Sequence, residues 1–269
     1  MSLIDNIFPN FKKTVFDSLT KNKSEIYDLT SRQLFDLENL NFFRKEQEDF
    51  EKKINSLNDS DRSQLKKEAI EILSEKMKSS QFGFYYGDFG KSYHRMQTNL
   101  QLVKEALKEK KEPKICELGS NAGGWTALWF DYNGIINPKN YTACDIVPDF
   151  CRSIATLGFN CVPINFAKEN IQDLLQNDYD LVVITEVIEH MPNEKSGFDL
   201  IDSGMSILKE KGSILVSYPR DVGEISSDPL GHQYQPNKAR INDRFSKYFN
   251  DVMMSYDGSR EFHLFIEKK

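Results

Sequence analysis

The stretch that most constrains this chain is Lys114-Ile115-Cys116-Glu117-Leu118-Gly119-Ser120-Asn121-Ala122-Gly123-Gly124-Trp125. A short apolar run ends in an acidic residue. A glycine-rich turn follows, then a segment able to open a helix. An α/β protein builds a ligand pocket this way, at the carboxyl end of its first strand. Glycine lets backbone approach a ligand closely and permits positive φ. Asn121 stands where many such loops carry another glycine, and Asn also tolerates the left-handed region. Such a turn also suits a dinucleotide, or a plain reversal of the chain.

Downstream the pattern alternates strand and helix. Apolar runs predict strands at 115–118, 141–146, 161–164, 180–185 and 212–218. Residues 180–185 are almost continuously apolar, as expected of a strand covered on both faces. Helical patterns fall at 125–130, 149–157 and 197–208. The tail, 251–256 and 261–266 around Asp257-Gly258, reads as a β-hairpin. The fold class expected is α/β: a doubly wound, mostly parallel, seven-stranded sheet closed by an antiparallel hairpin.

Residues 1–80 read as a helical N-terminal region or lid, and 81–269 as the sheet domain. Phe43, Phe50, Ile54 and Leu57 share one helical face, and Leu65, Ala69, Ile72 and Leu73 another. Between them and the sheet, residues 81–90 interleave glycines with aromatics, including Tyr85 and Tyr86, which suits a mobile loop over a pocket or an ordinary packed turn.

A net charge of −6 gives no support for broad contact with a phosphate backbone. No apolar run is long enough to span a bilayer, and the start of the chain lacks the pattern of a signal peptide. The four cysteines make no C-x-x-C pair and read as buried free thiols of a cytoplasmic protein.

Taken in order, Glu117-Leu118-Gly119-Ser120-Asn121-Ala122-Gly123, then Asp145, then Asp180-Leu181-Val182-Val183 with Thr185-Glu186-Val187-Ile188-Glu189-His190, then the terminal hairpin resemble the class I methyltransferases that use S-adenosylmethionine (SAM). The resemblance spans roughly residues 80–269, and Asn121 departs from the usual second glycine. It implies a cofactor pocket of Glu117, Gly119, Ser120, Asn121, Gly123, Asp145, Ile146, Asn165, Phe166 and Glu186. Glu117 would hold the loop or receive the cofactor's ammonium. Asp145 would accept from the ribose diol or cap the next helix. Ile146 and Phe166 would pack on the adenine, and Asn165 would contact its amino group.

Methyl transfer from a sulfonium needs alignment and, for a hydroxyl acceptor, removal of a proton. Glu186, Glu189 and His190 are spaced to crowd one side of a helical turn, and His232 follows the fifth strand. His190, His232 and Glu189 are the candidate catalytic groups. The same trio with Glu186 has divalent-metal ligand chemistry; Glu189 and His190 as a hydrogen-bonded pair is the simpler reading. Similar Glu-Val-Ile-Glu-His stretches occur in quinone-pathway and small-RNA methyltransferases. Tyr85, Tyr86, Arg95 and Arg220 are candidates for the acceptor side, the arginines for an anionic group or for surface ion pairs.

The expected function is O-methylation of a small metabolite, an anionic one if the arginines line its pocket. An RNA 3′-end 2′-O-methyltransferase with a divalent metal is an alternative, although the charge balance and the lack of a basic, aromatic arm argue against a nucleic-acid partner. A nicotinamide oxidoreductase would share the glycine turn and Asp145 but not the Glu186–His190 cluster. A helical interaction module with a vestigial cofactor domain is the non-enzymatic alternative.

Overall fold

The computed structural model describes residues 2–17, 23–24, 29–30, 34–78, 89–219, 232–246, 253–255 and 261–267. Among the described residues the first helices are α1 (Leu3–Ile7), α2 (Phe11–Asp17), α3 (Asn41–Asn55) and α4 (Asp59–Lys78). Between α2 and α3, two short strands, β1 (Lys23–Ser24) and β2 (Leu29–Thr30), pair antiparallel. Helix α5 (Phe89–Leu107) leads to the main sheet.

That sheet contains β3 (Ile115–Leu118), β4 (Tyr141–Asp145), β5 (Asn160–Pro163), β6 (Tyr179–Thr185), β7 (Leu208–Pro219), β8 (Met253–Ser255) and β9 (Glu261–Glu267), in the order β5-β4-β3-β6-β7-β9-β8. The pairs β3–β4, β3–β6, β4–β5 and β6–β7 are parallel. Strand β9 runs antiparallel to both β7 and β8. The expected turn at Asp257-Gly258 lies outside the described residues, as do Tyr85, Tyr86 and Arg220.

Side chains alternate across each strand, so the sheet splits the interior in two. Ile115, Ala143, Leu181, Val183 and Leu215 face one layer, with Ala127 and Phe130 of α6 (Trp125–Tyr132) and Ile154 of α7 (Pro148–Thr156). Cys116, Leu118, Val182, Ile184 and Val216 face the other, with Leu200 and Ile201 of α8 (Glu194–Ser206) and Phe245 of α9 (Lys238–Phe245). The N-terminal helices share the first layer: Phe8, Phe11, Ile54, Leu65 and Leu73 are part of that core. Leu34, Leu40 and Phe43 form a third cluster with Ala122, Ile146, Val147 and Phe150. The N-terminal region thus packs beside the glycine loop and the end of β4.

The strand order reverses between β3 and β6, whose chain connections run to opposite sides. In a parallel sheet that reversal leaves a crevice outside the carboxyl ends of the two strands, where ligands bind. The glycine turn ends β3, and the Glu186–His190 stretch follows β6.

All four cysteines are buried and free. Burial pushes the Cys144 and Cys161 thiols well up, so both are protonated, unreactive core groups.

Candidate active site

The loop after β3 is held from several directions. Gly119 and Ser120 donate their backbone N–H groups to the Cys144 carbonyl of β4, at 2.8 and 3.1 Å. Gly119 has φ +86°, and a Cβ there would meet a Val187 methyl at 2.4 Å. Both the backbone and the available space therefore demand glycine at that position. Asn121 occupies the left-handed region at φ 55°. Its side-chain oxygen accepts from the Ala122 N–H at 2.5 Å, the local bond that lets Asn replace glycine here. Gly123 leaves room for the Trp125 indole, which a Cβ would strike at 2.1 Å.

Glu117 is almost fully buried and accepts from the Tyr141 hydroxyl at 2.8 Å. Thr126, in the first turn of α6, also bonds its carboxylate. Burial raises its pKa to about 7. These contacts tie the end of β3 to β4 and α6.

Asp145 ends β4. One carboxylate oxygen accepts from the Asn121 N–H at 2.9 Å and the other from the Val147 N–H at 3.0 Å. The group therefore links the glycine loop to Val147, the residue just before α7, and does not cap that helix, whose N-cap position carries no side-chain cap bond. Burial raises its pKa to about 6 against the pull of these donors. The Ile146 backbone N–H bonds the carboxylate as well, which leaves lone-pair capacity for a further donor. Ile146 is buried in the third cluster, and Phe166 is half-buried on the second layer.

Asn165 follows β5 and reaches the N-terminal segment. It is fully buried, and its amide donates to the carbonyls of Leu34, Phe35 and Leu37 at 3.0, 3.2 and 2.8 Å. Beside it, Glu169 accepts from the Leu40 and Asn165 backbone N–H groups and from the Arg44 guanidinium. Sequence reading missed this anchor because its partners are backbone atoms more than a hundred positions away.

At the end of β6 the chain turns sharply. Glu186 has φ 55°, costly for a residue with a Cβ. Its N–H donates to the Ser217 carbonyl at 2.9 Å. A single 3-10 turn, Ile188–His190, follows. The expected helical turn from 186 to 190 is therefore shorter, and the left-handed Glu186 stands outside it. Ligand atoms of Glu189, His190 and His232 all lie within 4.8 Å of one another, in a group that excludes Glu186. The four-ligand metal set is corrected to three.

Glu189 is buried, and His232 is 8% exposed. The His190 and His232 ring centroids are 4.7 Å apart, tilted by 43°. The Gln233 N–H donates to the Glu189 carbonyl at 2.7 Å, which docks the His232 segment on the turn. Tyr234 also packs here, an element that sequence reading missed. Arg95 lies on α5.

Residues 116–213 match a family model described as a methyltransferase domain. No curated protein matches the chain in sequence. Among solved structures, the N-methyltransferase NodS from Bradyrhizobium japonicum WM9, in complex with S-adenosyl-L-homocysteine, is similar at 13% identity and TM-score 0.49, over 74% of this chain and 98% of NodS. Magnesium protoporphyrin IX methyltransferase from Synechocystis PCC 6803, with bound SAM, is similar at 16% identity and TM-score 0.43, over 65% of this chain and 80% of that one. Among the described residues, no helix is long and apolar enough to cross a membrane. The family match identifies residues 116–213 as a methyltransferase domain, on a sheet with its glycine loop at the strand-order reversal.

Proposed function

We propose that the enzyme methylates an oxygen of a small acceptor held over the end of β6. The observation that carries this reading is the convergence of Glu189, His190 and His232 beside the crevice. SAM supplies an activated methyl group, so the chain has to bind, align and remove a proton. In this reading Asp145 holds the ribose, the backbone from Gly119 to Gly123 and Glu186 line the rest of the cofactor, and His190 or His232 takes the acceptor's proton, with Glu189 orienting the pair. Tyr85, Tyr86, Arg95 and Arg220 are assigned to the acceptor side, where the arginines would suit an anionic group. Residues 1–80 act as a cover on the Ile146 side of the cofactor, which the packing of Leu34, Leu40 and Phe43 supports.

The same three side chains favour a second reading, with a divalent cation at the site. A carboxylate oxygen with two imidazole nitrogens suits Mn, Fe, Co or Zn, and the atoms are close enough to share one ion. Such an ion would act as a Lewis acid on the acceptor oxygen.

The test is labelled SAM incubated with separate small-molecule and RNA fractions of a cell extract, and products read by mass spectrometry. A labelled small molecule, lost in His190→Ala and His232→Ala by roughly 10²–10⁴-fold, is expected. Label in RNA alone, or on nitrogen, would replace this acceptor assignment. Chelation separates the two forms of the site: unchanged turnover leaves the histidines as simple bases.

A further inference from the structure

We propose that Gly197 is a positioning residue: its missing side chain makes the seat for Tyr234, and that seat holds His232 against His190 and Glu189. The inference deepens the active-site reading and rests on it for its functional meaning, but its geometry stands alone.

Gly197 lies in the first turns of α8, buried. Glycine there weakens a helix relative to alanine, so its presence needs a reason. Backbone conformation is not the reason, since Gly197 is absent from the glycines with positive φ. Space is. A Cβ at Gly197 would stand 1.9 Å from the Tyr234 hydroxyl oxygen, 3.1 Å from Cζ, and 3.4 Å from the Ile188 carbonyl oxygen. The phenol therefore lies across the helix where a methyl group would be. Helix α8 begins just after the turn that carries Glu189 and His190, so the glycine puts Tyr234 beside that turn.

Three consecutive residues then make three separate attachments. His232 meets the His190 ring at 4.7 Å between centroids. Gln233 donates its N–H to the Glu189 carbonyl at 2.7 Å. Tyr234 fills the notch at Gly197. Extended backbone spans only about 3.3 Å per residue, so a displaced Tyr234 drags His232 with it. Burial beside the Glu189 and Glu194 carboxylates pushes the Tyr234 phenol up, so its hydroxyl is protonated and the seat carries no charge.

The experiment follows the histidine rings by NMR in ¹³C-histidine protein, where the four histidines are assigned by single substitution. His232→Ala in the wild-type background gives the shift that His190 shows when its neighbour is gone. Gly197→Ala is expected to move the His190 signal by most of that shift, with SAM affinity by calorimetry unchanged. Tyr234→Phe alone removes only the oxygen and should leave the signals in place. Gly197→Ala/Tyr234→Phe should return them toward wild type, because the atom in the way is gone. A merely structural glycine would show no such rescue. Unmoved histidine signals in Gly197→Ala would overturn the proposal. So would a Gly197→Ala protein that fails to fold and is not restored by Tyr234→Phe. None of these readouts needs the acceptor, so failure here is distinct from failure of the methylation assay.

Discussion

Asn165 donates its side-chain amide to the backbone carbonyl of Leu37 at 2.8 Å, across 128 positions of sequence. The same amide reaches the carbonyls of Leu34 and Phe35. One buried side chain thus pins the segment that lies against Ile146 and Ala122. Asn165→Leu keeps the volume and removes the donors. Because it leaves carbonyls buried without partners, it should cost about 1–3 kcal/mol in urea unfolding. SAM should also dissociate faster in stopped-flow measurements if this segment covers the cofactor. An unchanged off-rate with lowered stability would confine Asn165 to a structural role.

Gly119→Ala should be severe. The new methyl meets Val187 and the backbone is at φ +86°. The companion Val187→Ala relieves the first problem and not the second, so the pair should remain impaired in SAM binding by calorimetry. Full recovery in the pair would show that contact, rather than backbone strain, is decisive.

Asp145→Ala removes an acceptor that also ties the glycine loop to Val147, just before α7. Loss of a charge-assisted hydrogen bond of about 1.5–3 kcal/mol corresponds to roughly ten- to hundred-fold weaker SAM binding. Tight NADH binding with no SAM binding would sink the cofactor assignment.

Glu117 and Asp145 carry a pH signature. Burial raises them from 4.5 to about 7 and from 3.8 to about 6. Between the unfolded and folded values the native state binds more protons than the unfolded chain, so their contribution to stability falls as pH rises. It is complete below about pH 4 and gone above about pH 7. Other carboxylates titrate too, so the useful measurement is a difference. Relative to wild type, Glu117→Gln should gain melting temperature as pH climbs from 5 to 8. A difference that does not vary with pH would mean that Glu117 is ionised throughout.

Much of the sheet was legible before folding. Ile115–Leu118 and Tyr179–Thr185 are apolar runs bounded by polar or glycine residues, and burial on both faces leaves few other places for them. The glycine loop was legible because positive φ and close packing both select glycine. The Glu186–His190 turn was read less well. Spacing alone suggested one helical face, whereas a left-handed Glu186 breaks the period and leaves Glu189 and His190 to meet His232. Nothing local announces that break, because the compensation comes from Ser217 on the neighbouring strand.

Sequence alone determined the strand–helix alternation, the loop after the first strand, and the acidic end of the second, because these rest on periodicity and local steric rules. Tertiary structure decided that Asn165 grips the N-terminal segment, that Tyr234 lies on Gly197, and that His232 reaches His190. Those are contacts between distant segments, chosen by which surfaces the sheet brings together, and no short-range rule carries that information.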